Sequence, residues 1–254
     1  IYEQIQYNEE LYPNPVVIGN FQWKGGEKDT EVVFSPDVNG RFRIAWMPPK
    51  EIRNLRKYDR NKKIAPNAEL GVGGVDSYDL DATVDGRGSK GALHLYNKFH
   101  MEYPSNMFVL EYASRPPLAK IFYEDCLLAA VFYGYPLLIE NNKYGIARYF
   151  ESRGYDGYLL NRPEHLRAAN SKVNVKTKGI PSNSQDVIQA HAHAIESYVH
   201  DHIGMHRETG EYGKMYFNDT LEDWIGFKIN DRTKFDLTIS SGLALLAAQK
   251  SKPK

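Results

Sequence analysis

The stretch Glu69-Leu70-Gly71-Val72-Gly73-Gly74-Val75-Asp76-Ser77-Tyr78-Asp79-Leu80-Asp81 reads as an apolar, glycine-rich strand that ends on three carboxylates within six residues. Carboxylates this close repel one another, and a chain carries them cheaply only in solvent or around a bound cation. Glycines weaken a strand, but they let a backbone or a ligand come near. A solvated acidic turn over residues 77–81 explains the same residues without any metal. A nucleotide loop does not, because Gly71 and Gly73 begin a Gly-x-Gly-x-x-Gly pattern and Asp76 stands where its third glycine belongs. The remainder of the chain has to decide between a metal site and a turn.

Downstream of this strand the order of elements is informative. Gly91-Ala-Leu-His-Leu-Tyr96 and Met107-Phe-Val-Leu-Glu-Tyr112 read as two further strands. Their short, turn-rich connections favour an antiparallel meander. A helix is predicted over residues 117–133, with prolines in its first turn and Gly134 closing it. Pro136-Leu-Leu-Ile139 is an apolar run suited to a strand buried on both faces, and it ends on Glu140. A helix over residues 143–153 and a buried strand over 157–160 follow. Three strands in a meander, then helix, strand, helix, strand, predict an α/β fold with a mixed sheet covered by helices.

Farther on, the helix predicted over residues 184–203 carries His191, His193, His200 and His202, with His206 beyond it. A His-x-His spacing on a helix points its two rings to different sides, and no cysteine accompanies them, so solvent or packing roles fit better than zinc. Residues 221–225 read as a short helix. The last element is an apolar helix that begins at Phe235-Asp236.

Upstream, residues 1–66 read as a linking appendage, with the main domain at 67–250. Two β-rich runs flank Asn39-Gly40, which predicts a hairpin. Residues 50–63 are strongly basic, either as a solvated helix face or as a phosphate-backbone patch. A second basic segment lies at 162–178, with Arg162, Arg167, Lys172, Lys176 and Lys178.

Composition narrows the classes. The 254 residues are 42% hydrophobic and 25% charged, as in ordinary globular proteins. No apolar run approaches the roughly 20 residues that cross a bilayer. With 32 basic and 32 acidic residues the formal net charge is zero, which argues mildly against a dedicated nucleic-acid binder but permits segregated charge. The single cysteine, Cys126, excludes an intrachain disulfide framework; it sits in an apolar run and is expected to be buried. The chain opens at Ile1 and ends in Lys-Pro-Lys, which suggests a segment of a longer protein.

Three acids stand out by position. Asp76 closes the first strand of the meander, Glu140 closes the apolar strand after the long helix, and Asp236 opens the last helix. In open sheets, reactive groups gather at the carboxyl ends of parallel strands. If those two strands are parallel neighbours, Asp76 and Glu140 face one crevice and Asp236 enters it from a helix packed on the sheet. An all-oxygen set suits Mg²⁺ or Mn²⁺, and two such ions would suit in-line displacement at a phosphodiester.

This order of elements, with acids at these places, resembles the ribonuclease-H-like fold. Gly73-Gly-Val-Asp-Ser-Tyr-Asp79, Leu138-Ile-Glu-Asn-Asn142 with Gly145, Gly179-Ile-Pro181, and the run from Lys234 to Leu246 resemble the nuclease domain of tailed-phage large terminase subunits. The resemblance covers about residues 66–248. It implies a divalent-metal-dependent endonuclease that cuts concatemeric viral DNA during packaging, in the host-cell cytoplasm. The family's catalytic and metal-binding acids fall on Asp76, Glu140 and Asp236, with two Mg²⁺ or Mn²⁺ ions. A further metal-supporting acid falls on Asp79 or Asp81, with Asp81 preferred. Lys143 and the cations at 162, 167, 172, 176 and 178 would hold the backbone of double-stranded DNA. The implied partners are an ATPase motor domain of the same full-length protein, the portal and the small terminase subunit. The motor's phosphate-binding loop, Gly-x-x-x-x-Gly-Lys-Ser/Thr, does not occur in this sequence. A junction resolvase or transposase-like nuclease, and a non-catalytic DNA-binding assembly module, are the alternatives.

Overall fold

A computed structural model describes residues 1–79, 90–142, 144–163, 166, 177–181, 185–228 and 234–249. The chain begins with helix α1 (Tyr2–Glu10), then forms β1 (Val17–Trp23), β2 (Val32–Pro36), β3 (Phe42–Ile44) and a small hairpin, β4 (Lys57–Asp59) with β5 (Lys62–Ile64). β6 (Gly71–Asp76), β7 (Gly91–Asn97) and β8 (Met107–Ser114) follow. The remaining elements are α2 (Ala119–Tyr133), β9 (Leu137–Ile139), α3 (Gly145–Ser152), α4 (Gln185–His202), α5 (Asn218–Gly226) and α6 (Asp236–Ala248).

Seven strands make one mixed sheet, in the order β2-β1-β3-β8-β7-β6-β9. β6, β7 and β8 form the antiparallel meander, and β9 returns parallel to β6. Such a parallel return requires a crossover, which α2 supplies before it stops at Gly134. Beyond β9, the strand expected at 157–160 is reduced to two isolated parallel bridges, Gly157 with Ile64 and Leu159 with Leu137.

Side-chain alternation sorts the sheet into two cores. Val75, Leu93, Leu95, Leu137 and Ile139 join the cluster made with α2 and α3. Tyr96, Phe108 and Leu138 join the one made with α4, α5 and α6. Both faces being covered, β6 and β7 are buried along their whole length, as their near-continuous apolar sequence requires. Gly74 marks a close approach of α6 to the sheet: a methyl there would overlap the Ser240 carbonyl oxygen and the Ala244 nitrogen, both backbone atoms of α6. Cys126 is buried in α2. Among the described residues, no helix is long and apolar enough to cross a membrane.

Residues 1–66 supply three of the seven strands, and β3 is hydrogen-bonded to β8. The hairpin predicted around Asn39-Gly40 does not form. β2 and β3 both pair antiparallel to β1, which lies between them. Residues 37–41 instead cross over β1 at Gly19, where Gly40 meets the Gly19 backbone with no room for a side chain. The outer edge of β2 is closed by Asn54, whose amide accepts from the Val32 N–H and donates to the Val32 carbonyl, both at 2.9 Å. The basic run at 50–63 is a turn followed by the β4–β5 hairpin rather than a helix. Several of its cations bind within the protein: Lys62 pairs with Asp156 at 3.0 Å, and Lys63 lies 4.0 Å from the Tyr155 ring centre.

Candidate functional site

Asp76 is the last residue of β6. It shares the alternation of Val72 and Gly74, so it belongs to the face that α6 covers, and it is only 8% exposed. Val75 pairs with Ile139 in the parallel ladder, and the Glu140 N–H donates to the Val75 carbonyl at 2.9 Å. Glu140 therefore occupies the position beside Asp76, on the face of Leu138, because alternate residues of a strand share a side. Its carboxylate accepts from the Asn142 side-chain amide at 3.1 Å.

Asp236 is the first residue of α6, one helical turn before Ser240, whose carbonyl abuts Gly74. Its Oδ2 accepts from the Lys90 N–H at 2.9 Å. Lys90 immediately precedes β7, where Ala92 pairs with Asp76. The three sequence-selected acids thus arrive at one end of the sheet: two on adjacent strands and one from the helix lying over them.

Among the described residues, however, no group of three or more His, Cys, Asp and Glu side chains is gathered tightly enough to hold a metal ion. The backbone assembles the acids, but their carboxylates are not drawn into a cage. The donors themselves, all carboxylate oxygen, suit a hard divalent cation.

Asp79 points elsewhere. Its carboxylate accepts from the Tyr123 hydroxyl at 2.7 Å and from the Gly145 N–H at 3.3 Å, tying the end of β6 to α2 and to the start of α3. Asp81 lies outside the described residues, as do Lys143, Arg167, Lys172 and Lys176. Arg162 is half-buried. The Lys178 ammonium donates to the Leu159 carbonyl at 2.7 Å, and burial lowers its pKa. The α4 histidines are dispersed: His191 is buried against Gly242, His202 packs on Tyr198, and His193 and His200 face solvent.

Behind the acids runs a buried polar chain that the sequence analysis did not select. His94 on β7 and Glu111 on β8 are ladder partners, and neither is exposed. His94 Nε2 lies 2.7 Å from the Thr220 hydroxyl of α5, and Nδ1 lies 2.8 Å from the Ser240 hydroxyl of α6. Thr220 donates to Glu111, so it accepts from His94, which places the ring proton on Nε2. Glu111 also accepts from Arg43 of β3, whose guanidinium is shared with Asp219 at 2.9 Å. Burial takes the imidazole down to about 3 and pushes the Glu111 carboxyl up to about 6. The Ser-His contact is no nucleophile, since Ser240 is fully buried and out of reach of any substrate. Its effect is to fasten the first turns of α6 and α5 to the sheet. The available signal was a histidine and a glutamate on strands that are otherwise apolar at those positions.

The chain is therefore an α/β protein whose mixed sheet is flanked by helices and carries acids at one end. No protein-family model matches it, and no curated protein matches it.

Proposed function

We propose that the protein is a divalent-metal-dependent DNA endonuclease on a ribonuclease-H-like sheet, as in the nuclease domain of tailed-phage terminase large subunits. One observation carries this reading. Asp76 and Glu140 hold neighbouring positions on parallel strands, and Asp236 opens the helix packed over them. The strand order supports it too, with a parallel strand laid beside the first strand of an antiparallel meander. In this reading Asp76, Glu140 and Asp236 would together hold two Mg²⁺ or Mn²⁺ ions. The ions would supply an activated water and stabilise the leaving oxygen. The chain's own part is to bring three acids to one end of the sheet. Asn142 orients Glu140, and the Lys90 N–H orients Asp236. Concatemeric viral DNA would be the substrate, with a motor domain, the portal and the small terminase subunit as partners.

A second reading is favoured by the open arrangement of the carboxylates: a non-catalytic DNA-binding assembly module whose acids are structural. Plasmid nicking in Mn²⁺, Mg²⁺ or chelator separates the two. The nuclease reading expects metal-dependent nicking that falls at least about 100-fold in Asp76→Asn and in Asp236→Ala. It also expects Mn²⁺ to raise the melting temperature of the parent and not of Asp76→Asn, since a ligand of the folded state stabilises it. Nicking by Asp76→Asn at the parental rate overturns the assignment.

A further inference from the structure

Between the first turn of α2 and α3, at the sheet end where Asp76 and Glu140 lie, the surface opens into a cleft of about 450 Å³. Lys120 of α2 and Arg148 of α3 line it, with Asn142 and Tyr144 from the segment that follows Glu140. Both cations are exposed, and among the described residues neither is paired with a carboxylate. The acid in the cleft, Asp79, is already held by Tyr123 and the Gly145 N–H. Tyr144 presents a ring that is 58% exposed. Asn142 joins the cleft to the site, since its side-chain amide holds Glu140.

We propose that this cleft holds the phosphate backbone of duplex DNA beside the acid edge, with Lys120 and Arg148 as its phosphate contacts. The proposal rests on the nuclease reading and names cations that the basic runs of the sequence did not include. Two exposed cations on separate helices, facing one cleft, are placed to bind successive phosphates of one strand, and Tyr144 offers a flat surface to the sugar or base between them. Lys178, by contrast, has its ammonium committed to a carbonyl within the protein.

The test is anisotropy of a fluorescein-labelled duplex in chelator, so that nothing is cut, across a salt series. Lys120→Ala/Arg148→Ala is compared with the parent and with Lys28→Ala/Lys214→Ala. The latter removes two exposed cations that neither line the cleft nor belong to the basic runs of the sequence. The cleft variant should bind about tenfold more weakly near 0.1 M salt, with the slope of log K on log salt shallower by about two. The control should bind like the parent. Equal binding by the cleft variant, or an equal loss in the control, overturns the proposal. Parallel nicking assays tell the two failures apart. A parent that nicks with Mn²⁺ while the cleft variant binds normally refutes the cleft alone, whereas a parent that neither nicks nor binds refutes the nuclease reading beneath it.

Discussion

His94 occupies a strand position where an aliphatic side chain would have satisfied the core, and its neutrality makes it a marker of folded-state pH dependence. Between the ordinary 6.5 and about 3, the unfolded chain takes a proton on His94 that the folded chain refuses, so stability falls as pH falls. Glu111 acts oppositely: between 4.5 and about 6 the folded chain keeps a proton that the unfolded chain has released, so stability falls as pH rises. The two slopes offset each other in that shared window, leaving the histidine alone below 4.5. From 4.5 down to about 3 the expected loss is about 2 kcal/mol, at roughly 1.4 kcal/mol per unit. Urea denaturation of the parent and of His94→Gln over this range checks it. The glutamine can still bond both hydroxyls but cannot titrate, so its stability should fall less steeply over this range, leaving only the loss from carboxylates such as Asp29 and Glu124 that the fold holds below their ordinary values. An unchanged slope would assign the whole limb to such groups. At this scale the sequence was partly legible. Asp76, Glu140 and Asp236 could be selected because each sits at the end or start of an element, where position alone restricts its direction. His94 and Glu111 could not, because their roles depend on Thr220 and Ser240, more than a hundred residues away.

At the scale of elements, the contact between α6 and β6 sets where Asp236 stands. Gly74 leaves no space for a methyl, and the atoms that would meet it belong to a helix backbone, which cannot rotate aside. Gly74→Ala should therefore destabilise the fold by about 3 kcal/mol, at the upper end of the usual cost of overpacking. It should also reduce nicking more than stability alone explains, because relief requires α6 to shift and Asp236 to shift with it. Denaturation midpoints and nicking rates measured on the same preparation check both parts. Full activity in a stably folded Gly74→Ala protein would contradict this account of the site. The meander, the crossover helix and the final helix were legible because each has its own period and its own turn residues. β1 was not, since Gly19 and Asn20 interrupt its alternation. With β1 unseen, Asn39-Gly40 looked like a hairpin between β2 and β3. The tight turn is real, and it carries the chain over β1 rather than back along β2.

For the whole molecule, the sheet runs unbroken from β2 to β9, so the segment before residue 67 is built into the same layer as the acids. Phe21 and Phe42 from that segment pack with Phe132 and Tyr112 of the later elements. A chain beginning at residue 67 would expose these rings and the outer edge of β8 together. We expect it to be insoluble or to unfold without cooperativity, whereas residues 1–254 should melt in a single transition. Calorimetry of the two chains checks this, and a soluble, cooperatively folding 67–254 fragment would contradict it. Composition and element order told little about such integration, because pairing between β3 and β8 joins strands far apart in the chain.

The carboxamide of Asn54 has a meaning beyond local bonding. A terminal strand normally leaves amide and carbonyl groups on which a stray polypeptide can crystallise its own backbone. Here one such pair is already occupied from within, and Pro36 at the far end of the strand has no N–H to offer. That edge is thus partly closed, which leaves crowded copies fewer groups through which to grow into a ribbon.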